Sequence, residues 1–216
     1  MILISDFSKT FTRADMPTTW SVFVKSGTLG QDYIDDRNQL FEQYSHFEQE
    51  GNIEKTEEWF LEHAKLFAKY KLSREQIDAI VQDDRYFASR AGVAEFLAEI
   101  QEQDIPLYIV SSGISEFIAR WFQLRFDYTP DIIIANDLIL ENGVVTGVDE
   151  DSVICPLDKT IELEFEHGDQ DIMLIGDNIE DTKVVQNPTK TFGFTDEDRG
   201  FDVNLEKEGS MMDIVL

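Results

Sequence analysis

The sequence predicts an α/β fold: a doubly wound, mostly parallel sheet with an inserted all-helical cap. Three observations lead there. Short apolar runs recur at Ile2–Ile4, Leu107–Val110, Ile132–Ala135 and Ile172–Ile175, and runs of that length suit strands covered on both faces. Strand-like and helix-like stretches alternate from Gly92 to Val185, which implies βαβ units, right-handed crossovers and a parallel sheet. Residues 18–88, by contrast, contain no strand-like run. The division expected is a core of residues 1–15 and 89–216 around a helical cap of residues 16–88.

Taken in order, Ile2–Ile4 is a strand that runs into Ser5-Asp6-Phe7-Ser8-Lys9-Thr10. The cap follows, with Trp20, Phe23, Val24, Ile34, Leu40, Phe41 and Tyr44 scattered among acidic and amide residues. Trp59, Phe60, Ala64, Phe67 and Ala68 recur at helical spacing, and Ser73-Arg-Glu-Gln76 is a capping box that opens another helix. Gly92–Gln103 is an amphipathic helix with Val93, Phe96, Leu97 and Ile100 on one face; Asp104-Ile-Pro106 turns it into the strand Leu107–Val110. That strand is expected to end at Ser111-Ser-Gly113, before a helix over Ile114–Leu124. Ile132–Ala135 is the next strand, and Leu138–Leu140 and Val144-Val145 flank Asn142-Gly143, a hairpin signal. Pro156 and Lys159 precede a short acidic helix through Phe165. Ile172–Ile175 is then a strand that Gly176 turns into Asp177, and Asp181 can face back toward it if the chain is helical from Asn178, since i and i+4 share a helix face. Thr191–Phe194 reads as an edge strand, and Ser210–Leu216 as an apolar terminus packed on the sheet.

Composition narrows the function. With 44 acidic against 18 basic residues and a formal charge of -26, the chain is repelled by phosphate backbones and anionic lipid surfaces. A nucleic-acid polymer and a membrane are therefore excluded as expected partners, whereas a small phosphorylated metabolite remains compatible where local cations offset the field. Cys155 is the one cysteine, so neither a disulfide framework nor a cysteine zinc site is available. No run reaches the length of a transmembrane helix or a signal peptide. These features predict a cytoplasmic protein.

Polar groups gather at the carboxyl ends of the strands: Asp6, then Ser111, then Lys159, then Asp177 and Asp181. Singly, each has an ordinary explanation as a helix cap, a turn or a solvated side chain. Together they fall on the edge where a doubly wound sheet binds its ligands, and they form the set that phosphoryl transfer requires. A carboxylate serves as nucleophile, a hydroxyl with neighbouring amides holds the phosphoryl oxygens, a lysine offsets their charge, and further carboxylates hold Mg²⁺.

These four pieces, Asp6-x-x-x-Thr10, strand-Ser111, Lys159 and Gly176-Asp-x-x-x-Asp181, resemble the four motifs of the haloacid dehalogenase superfamily of phosphohydrolases. Within it the chain is most similar to the cytosolic pyrimidine 5'-nucleotidase branch, through Gln43–Glu48, Glu58-Trp-Phe60, Ile109–Ile114, Glu141–Val144 with Gly147, Gly176–Asp181 and Asp213–Leu216. The resemblance covers nearly the whole chain. It implies a Rossmann-type core and a Mg²⁺-dependent phosphatase or phosphotransferase acting on a small phosphomonoester, for instance a nucleoside monophosphate. Asp6 would form an aspartyl-phosphate and also ligate the metal; Ser111, Ser112, Gly113 and Thr10 would hold the phosphoryl group, and Lys159 would neutralise it. Asp177 and Asp181 would complete the metal site, and Glu48 of the cap would contact the base.

One position departs from the pattern. The superfamily's phosphatases carry a second aspartate two residues after the nucleophile, as general acid and base; this chain has Ser8. The backbone carbonyl of Ser8 still serves a metal, but a hydroxyl has no useful pKa near neutrality, and losing a positioned acid/base costs ~10² to 10⁴-fold in rate. Superfamily members without this aspartate include P-type ATPases, which carry threonine there and a long-lived aspartyl-phosphate, and phosphonatases, which carry alanine and use a Schiff-base lysine. Slow turnover is expected, with His46 and His63 of the cap as candidate substitute acids. The alternative is a pseudo-enzyme that binds a phosphate ligand or a protein partner without turnover.

Overall fold

The computed structural model describes residues 1–159 and 171–216. The chain opens with β1 (Ile2–Ser5). Five helices follow: α1 (Val22–Ser26), α2 (Gln31–Gln49), α3 (Ile53–Lys69), α4 (Arg74–Val81) and α5 (Asp84–Phe87). Next come α6 (Val93–Glu102), β2 (Leu107–Ile114), α7 (Ser115–Phe126), β3 (Ile132–Asn136) and the hairpin β4 (Leu138–Glu141) with β5 (Val144–Val148). The last strands are β6 (Ile172–Gly176), β7 (Lys190–Phe194) and β8 (Val203–Leu205). The acidic helix expected through Phe165 lies outside the described residues. No helix among the described residues is long and apolar enough to cross a membrane.

Six strands form one parallel sheet in the order β3-β2-β1-β6-β7-β8. β1 is central: Leu3 stands opposite Leu107 on one side and Met173 on the other. Alternation of side chains along the strands sends Leu3, Ile109 and Ile175 into a large cluster shared with the helices of residues 22–87, while Ile2, Ile4, Val110 and Leu174 pack with Val184, Val185 and Phe201 on the other face. All four β1 residues are buried, which is why the run carries no polar alternation.

Local signals hold where backbone chemistry is explicit. Ser73 and Gln76 cap each other as expected. Asn142 and Gly143 both have positive φ (50° and 78°), the requirement of a type I′ hairpin turn. Two expectations need correction. β2 does not stop at Ser111: it runs on through Ser112 and Gly113 to Ile114, with a register shift against β3 after Val110. Nor is Thr191–Phe194 an edge, because β8 pairs outside it. The terminus buries Met211 and Ile214 beside α6, with Met211 N–H donating to Ala91 O at 2.9 Å.

Candidate active site

β1 delivers Asp6 to the carboxyl edge of the sheet, and the Asp6 amide donates to Ile175 O of β6 at 3.0 Å. Phe7 then anchors the loop, its ring edge-on to Trp121 at 5.1 Å. Its carbonyl accepts from the amides of Thr10 and Phe11, while Lys9 takes the left-handed conformation at φ 63°. The loop is gripped from outside by Arg90. This guanidinium donates to Thr10 O at 2.6 Å, Lys207 O at 2.8 Å, Gly209 O at 3.0 Å and also Lys9 O, and lies 3.8 Å from the Phe194 ring. Burial pushes its pKa down to about 10.

β6 supplies the acidic pair. The segment after Gly176 forms a 3-10 turn (Ile179–Lys183) rather than an α-helix, and Asp181 returns as the reciprocal partner of the Asn178 cap. Asp181 divides its carboxylate. Oδ2 accepts from the amides of Asp177 (3.0 Å) and Asn178 (2.9 Å), and Oδ1 faces Lys159 Nζ at 2.8 Å. The same ammonium reaches Asp6 Oδ1 at 3.2 Å. Burial disfavours charge on Lys159, but the Asp6 and Asp181 carboxylates prevail and raise its pKa. Burial, assisted by the Asp181 charge, raises Asp6 against the pull of Lys159. Asp177 is pushed up to about 7 by burial and then by the Asp6 and Asp181 charges.

The third component is the end of β2. Ser111 is buried, and its Oγ accepts from the Gly113 amide at 3.1 Å. Three side chains hold this stretch through its backbone. Trp20 Nε1 donates to Ser112 O at 2.7 Å, and Asn136 Nδ2 donates to Ser112 O (2.9 Å) and Gly113 O (3.0 Å). Thr19 Oγ1 accepts from the Ile114 amide at 3.0 Å.

A cavity of ≈ 200 Å³ opens above these groups. Asp6, Ser8, Ser111, Ser112 and Gly113 line it from the sheet side; Trp20, Arg37, Glu48, Trp59, Phe60 and His63 line it from the helices. Glu48 therefore faces the same space as Asp6, and burial raises its pKa. Lys159, Asp177 and Asp181 are not on the cavity wall but adjoin Asp6 behind it. Thr10 is fully buried and does not line the cavity, because the loop turns it inward and Arg90 takes its carbonyl. His63 pairs with Tyr33 Oη at 2.9 Å, and burial, with the Arg37 charge, lowers its pKa to about 3. It is neutral at physiological pH and has no proton to give as an imidazolium. His46 packs on the Phe47 ring at 3.9 Å and is not on the cavity wall.

Asp6, Asp177 and Asp181 each present a carboxylate oxygen, and these atoms lie within 4.8 Å of one another. An all-oxygen donor set suits a hard cation such as Mg²⁺ and not a zinc ion that favours nitrogen and sulfur. Three carboxylates beside one ammonium leave two negative charges, which matches a divalent ion.

Sequence reasoning brought Asp6, Ser8, Ser111, Ser112, Gly113, Glu48, Lys159, Asp177 and Asp181 to this region. It missed Arg90, Asn136, Trp20 and Thr19, which act through backbone atoms distant in sequence, and Arg37.

The model of the family described as pyrimidine 5'-nucleotidase (UMPH-1) matches residues 4–216. A protein of Caenorhabditis elegans named putative cytosolic 5'-nucleotidase 3 is 25% identical over 249 residues, covering 100% of this chain and 64% of the relative. The chain thus spans slightly less than two-thirds of that protein. Cytosolic 5'-nucleotidase IIIB (cN-IIIB), solved bound to cytidine, has a similar fold with a TM-score of 0.80 at 20% identity, over 98% of this chain and 82% of the other. A substrate-bound phosphoserine phosphatase matches with a TM-score of 0.63 at 15% identity, over 98% and 95%.

Proposed function

The chain belongs to the pyrimidine 5'-nucleotidase (UMPH-1) family, and on that premise we propose that it is a Mg²⁺-dependent phosphatase acting on a small phosphomonoester, a nucleoside monophosphate, through an aspartyl-phosphate on Asp6. The observation that carries this reading is the double position of Asp6. It lines the cavity and also belongs to the acidic cluster braced by Lys159.

Asp6 Oδ1 faces Lys159, which leaves Oδ2 to attack phosphorus. The P–O bond to the leaving group breaks as the P–Oδ2 bond forms, and the leaving oxygen takes a proton. Water then attacks phosphorus, the P–Oδ2 bond breaks, and inorganic phosphate leaves with the Asp6 carboxylate restored and the surplus proton passing to solvent. In this scheme the Ser111 hydroxyl, the Ser112 amide and the Gly113 amide, which exchanges Ser111 Oγ for substrate, hold the phosphoryl oxygens, and Trp20 and Asn136 fix the Ser112–Gly113 peptide through the Ser112 carbonyl. Asp6, Asp177, Asp181 and the Ser8 carbonyl would hold the metal, which when bound supplies positive charge to the phosphoryl oxygens. Trp20, Trp59 and Phe60 offer flat apolar surface for a base, and Glu48 accepts from its N–H groups. Protonation of the leaving group is the weak step, since Ser8 has replaced the usual carboxylate and His63 is neutral.

The test is hydrolysis of p-nitrophenyl phosphate and a panel of nucleoside monophosphates in Mg²⁺ by the full chain and by Asp6→Asn. Loss of activity in Asp6→Asn is expected; equal rates would sink the enzymatic reading. The second reading, a binder without turnover, is favoured by Ser8. Beryllium fluoride separates the two, because a fluoroberyllate adduct on Asp6 belongs to a competent nucleophile.

A further inference from the structure

The chain has eight arginines, and seven have oxygen acceptors. Arg13, Arg74, Arg85, Arg120, Arg125 and Arg199 form ion pairs with carboxylates, and Arg90 holds four backbone carbonyls. Arg37 is the exception. Among the described residues it has neither an ion pair nor a hydrogen bond, and its Nε is buried without an acceptor. In a chain with 44 acidic residues, an arginine left without a carboxylate is conspicuous. The adjacent carboxylates are engaged elsewhere: Asp36 accepts from Lys69 and Tyr70, and Asp35 from Gln31.

Arg37 lines the cavity that contains Asp6. Its guanidinium lies 4.8 Å from the Phe41 ring, and burial lowers its pKa. Glu48 is on the same helix but does not neutralise it: eleven residues of α2 separate them, roughly 16 Å of helical rise, and no ion pair joins them. A partly desolvated guanidinium without a counter-charge is costly. Its planar fork suits an oxyanion that accepts two hydrogen bonds at once.

We infer that Arg37 recognises a second oxyanion on the substrate, at the end remote from the phosphoryl group bound at Asp6. This rests on the reading of the cavity as a phosphomonoester site. The substrate class is then a flat, ring-bearing phosphomonoester with a carboxylate or a second phosphoryl group on its far side. Trp20, Trp59 and Phe60 flank the ring, and a cavity of ≈ 200 Å³ favours a single ring over an extended one.

Binding can be read without turnover from the fluorescence of Trp20 and Trp59, in Mg²⁺, using three unhydrolysable phosphonates: benzylphosphonate, 4-carboxybenzylphosphonate and 1,4-xylylenebisphosphonate. The full chain is expected to bind one or both of the doubly anionic probes about 10- to 100-fold more tightly than benzylphosphonate, the range of a charged hydrogen-bond pair. Whichever gains more identifies the oxyanion as carboxylate or phosphoryl. In Arg37→Gln the preference is expected to fall below about 3-fold, with Arg37→Lys between. Arg37→Met keeps the apolar stem and replaces Arg37→Gln if the latter does not fold. Equal binding of all three probes by the unmodified chain, or a preference that survives Arg37→Gln, overturns the assignment and leaves the phosphomonoester reading standing. Failure of all three to bind also overturns the assignment, while the phosphomonoester reading falls only if the full chain and Asp6→Asn then hydrolyse the nucleoside monophosphate panel at equal rates.

Discussion

A β-carbon on Gly176 would stand 2.4 Å from Oδ2 and 2.5 Å from Cβ of Asp181. The absence of a side chain at the end of β6 is therefore what lets Asp181 fold back onto the amides of Asp177 and Asn178. Gly176→Ala is expected to displace that carboxylate, lowering stability by about 1–3 kcal/mol, as overpacking does, and Mg²⁺ affinity about 10- to 100-fold. Urea unfolding and calorimetric Mg²⁺ titration measure the two effects. A variant with unchanged metal affinity would remove Asp181 from the metal site.

Lys159 is the cation between two buried carboxylates. Lys159→Met is expected to cost about 3–5 kcal/mol without metal, because Asp6 and Asp181 lose their counter-charge. Millimolar Mg²⁺ should then raise the Tm of this variant more than that of the unmodified chain, the ion substituting for the lost ammonium. Equal shifts in the two proteins would contradict the shared electrostatics of lysine and metal site.

Ser8 faces the cavity beside Asp6. Ser8→Asp should raise kcat toward alkyl phosphate esters by ~10² to 10⁴-fold. p-Nitrophenyl phosphate, whose leaving group needs little protonation, should gain much less. An equal gain for both esters would show that the limiting step is not leaving-group protonation.

His63 makes acid a liability for the fold. Its pKa falls from 6.5 to about 3 on folding, through burial and then the Arg37 charge. Between those values the unfolded chain binds a proton that the folded chain excludes, so this contribution to stability is full above pH 6.5 and is lost as the pH falls toward 3. The slope is about 1.4 kcal/mol per pH unit. His63→Phe removes the titration along with the Tyr33 hydrogen bond. It is expected to be less stable than the unmodified chain at pH 7 yet to lose less between pH 7 and pH 5, as urea unfolding at the two values will show.

The parts of this molecule that could be read from sequence are those whose chemistry is local. Four strands announce themselves as unbroken apolar runs, although β3, at the edge of the sheet, leaves Ile132 exposed and Ile133 and Ile134 half-buried, and Ser73–Gln76 and Asn142-Gly143 encode their own backbone geometry. Asp6, Ser111 and Asp177 could be anticipated because they come directly after or one residue beyond such apolar runs, although Ser111 itself lies within β2. Ser111-Ser-Gly113 misled as a strand end, since small polar residues suit turns, whereas here Thr19 and Asn136 satisfy the backbone on either side. β8 escaped notice because Val203–Leu205 is short and lies in a polar stretch. Arg90 and Trp20 serve carbonyls about eighty to a hundred and twenty positions away, a relationship no short-range pattern contains. Asp181, whose ordinary reading is a solvated side chain, is instead buried, capping the turn through one oxygen and joining the charged cluster through the other.

The central place of β1 also sets a schedule. The strand that bears Asp6 is flanked by residues 107–109 on one side and 172–175 on the other, so its hydrogen bonds close loops of more than a hundred residues. Such distant pairings form late and slow folding. As the ribosome extends this chain, the helices of residues 22–87 have local partners early, while Asp6 has no neighbour from β6 until residue 172 has emerged. Asp6 is translated well before β6, so the acidic cluster it shares with Asp177 and Asp181 comes together only once that later strand has emerged.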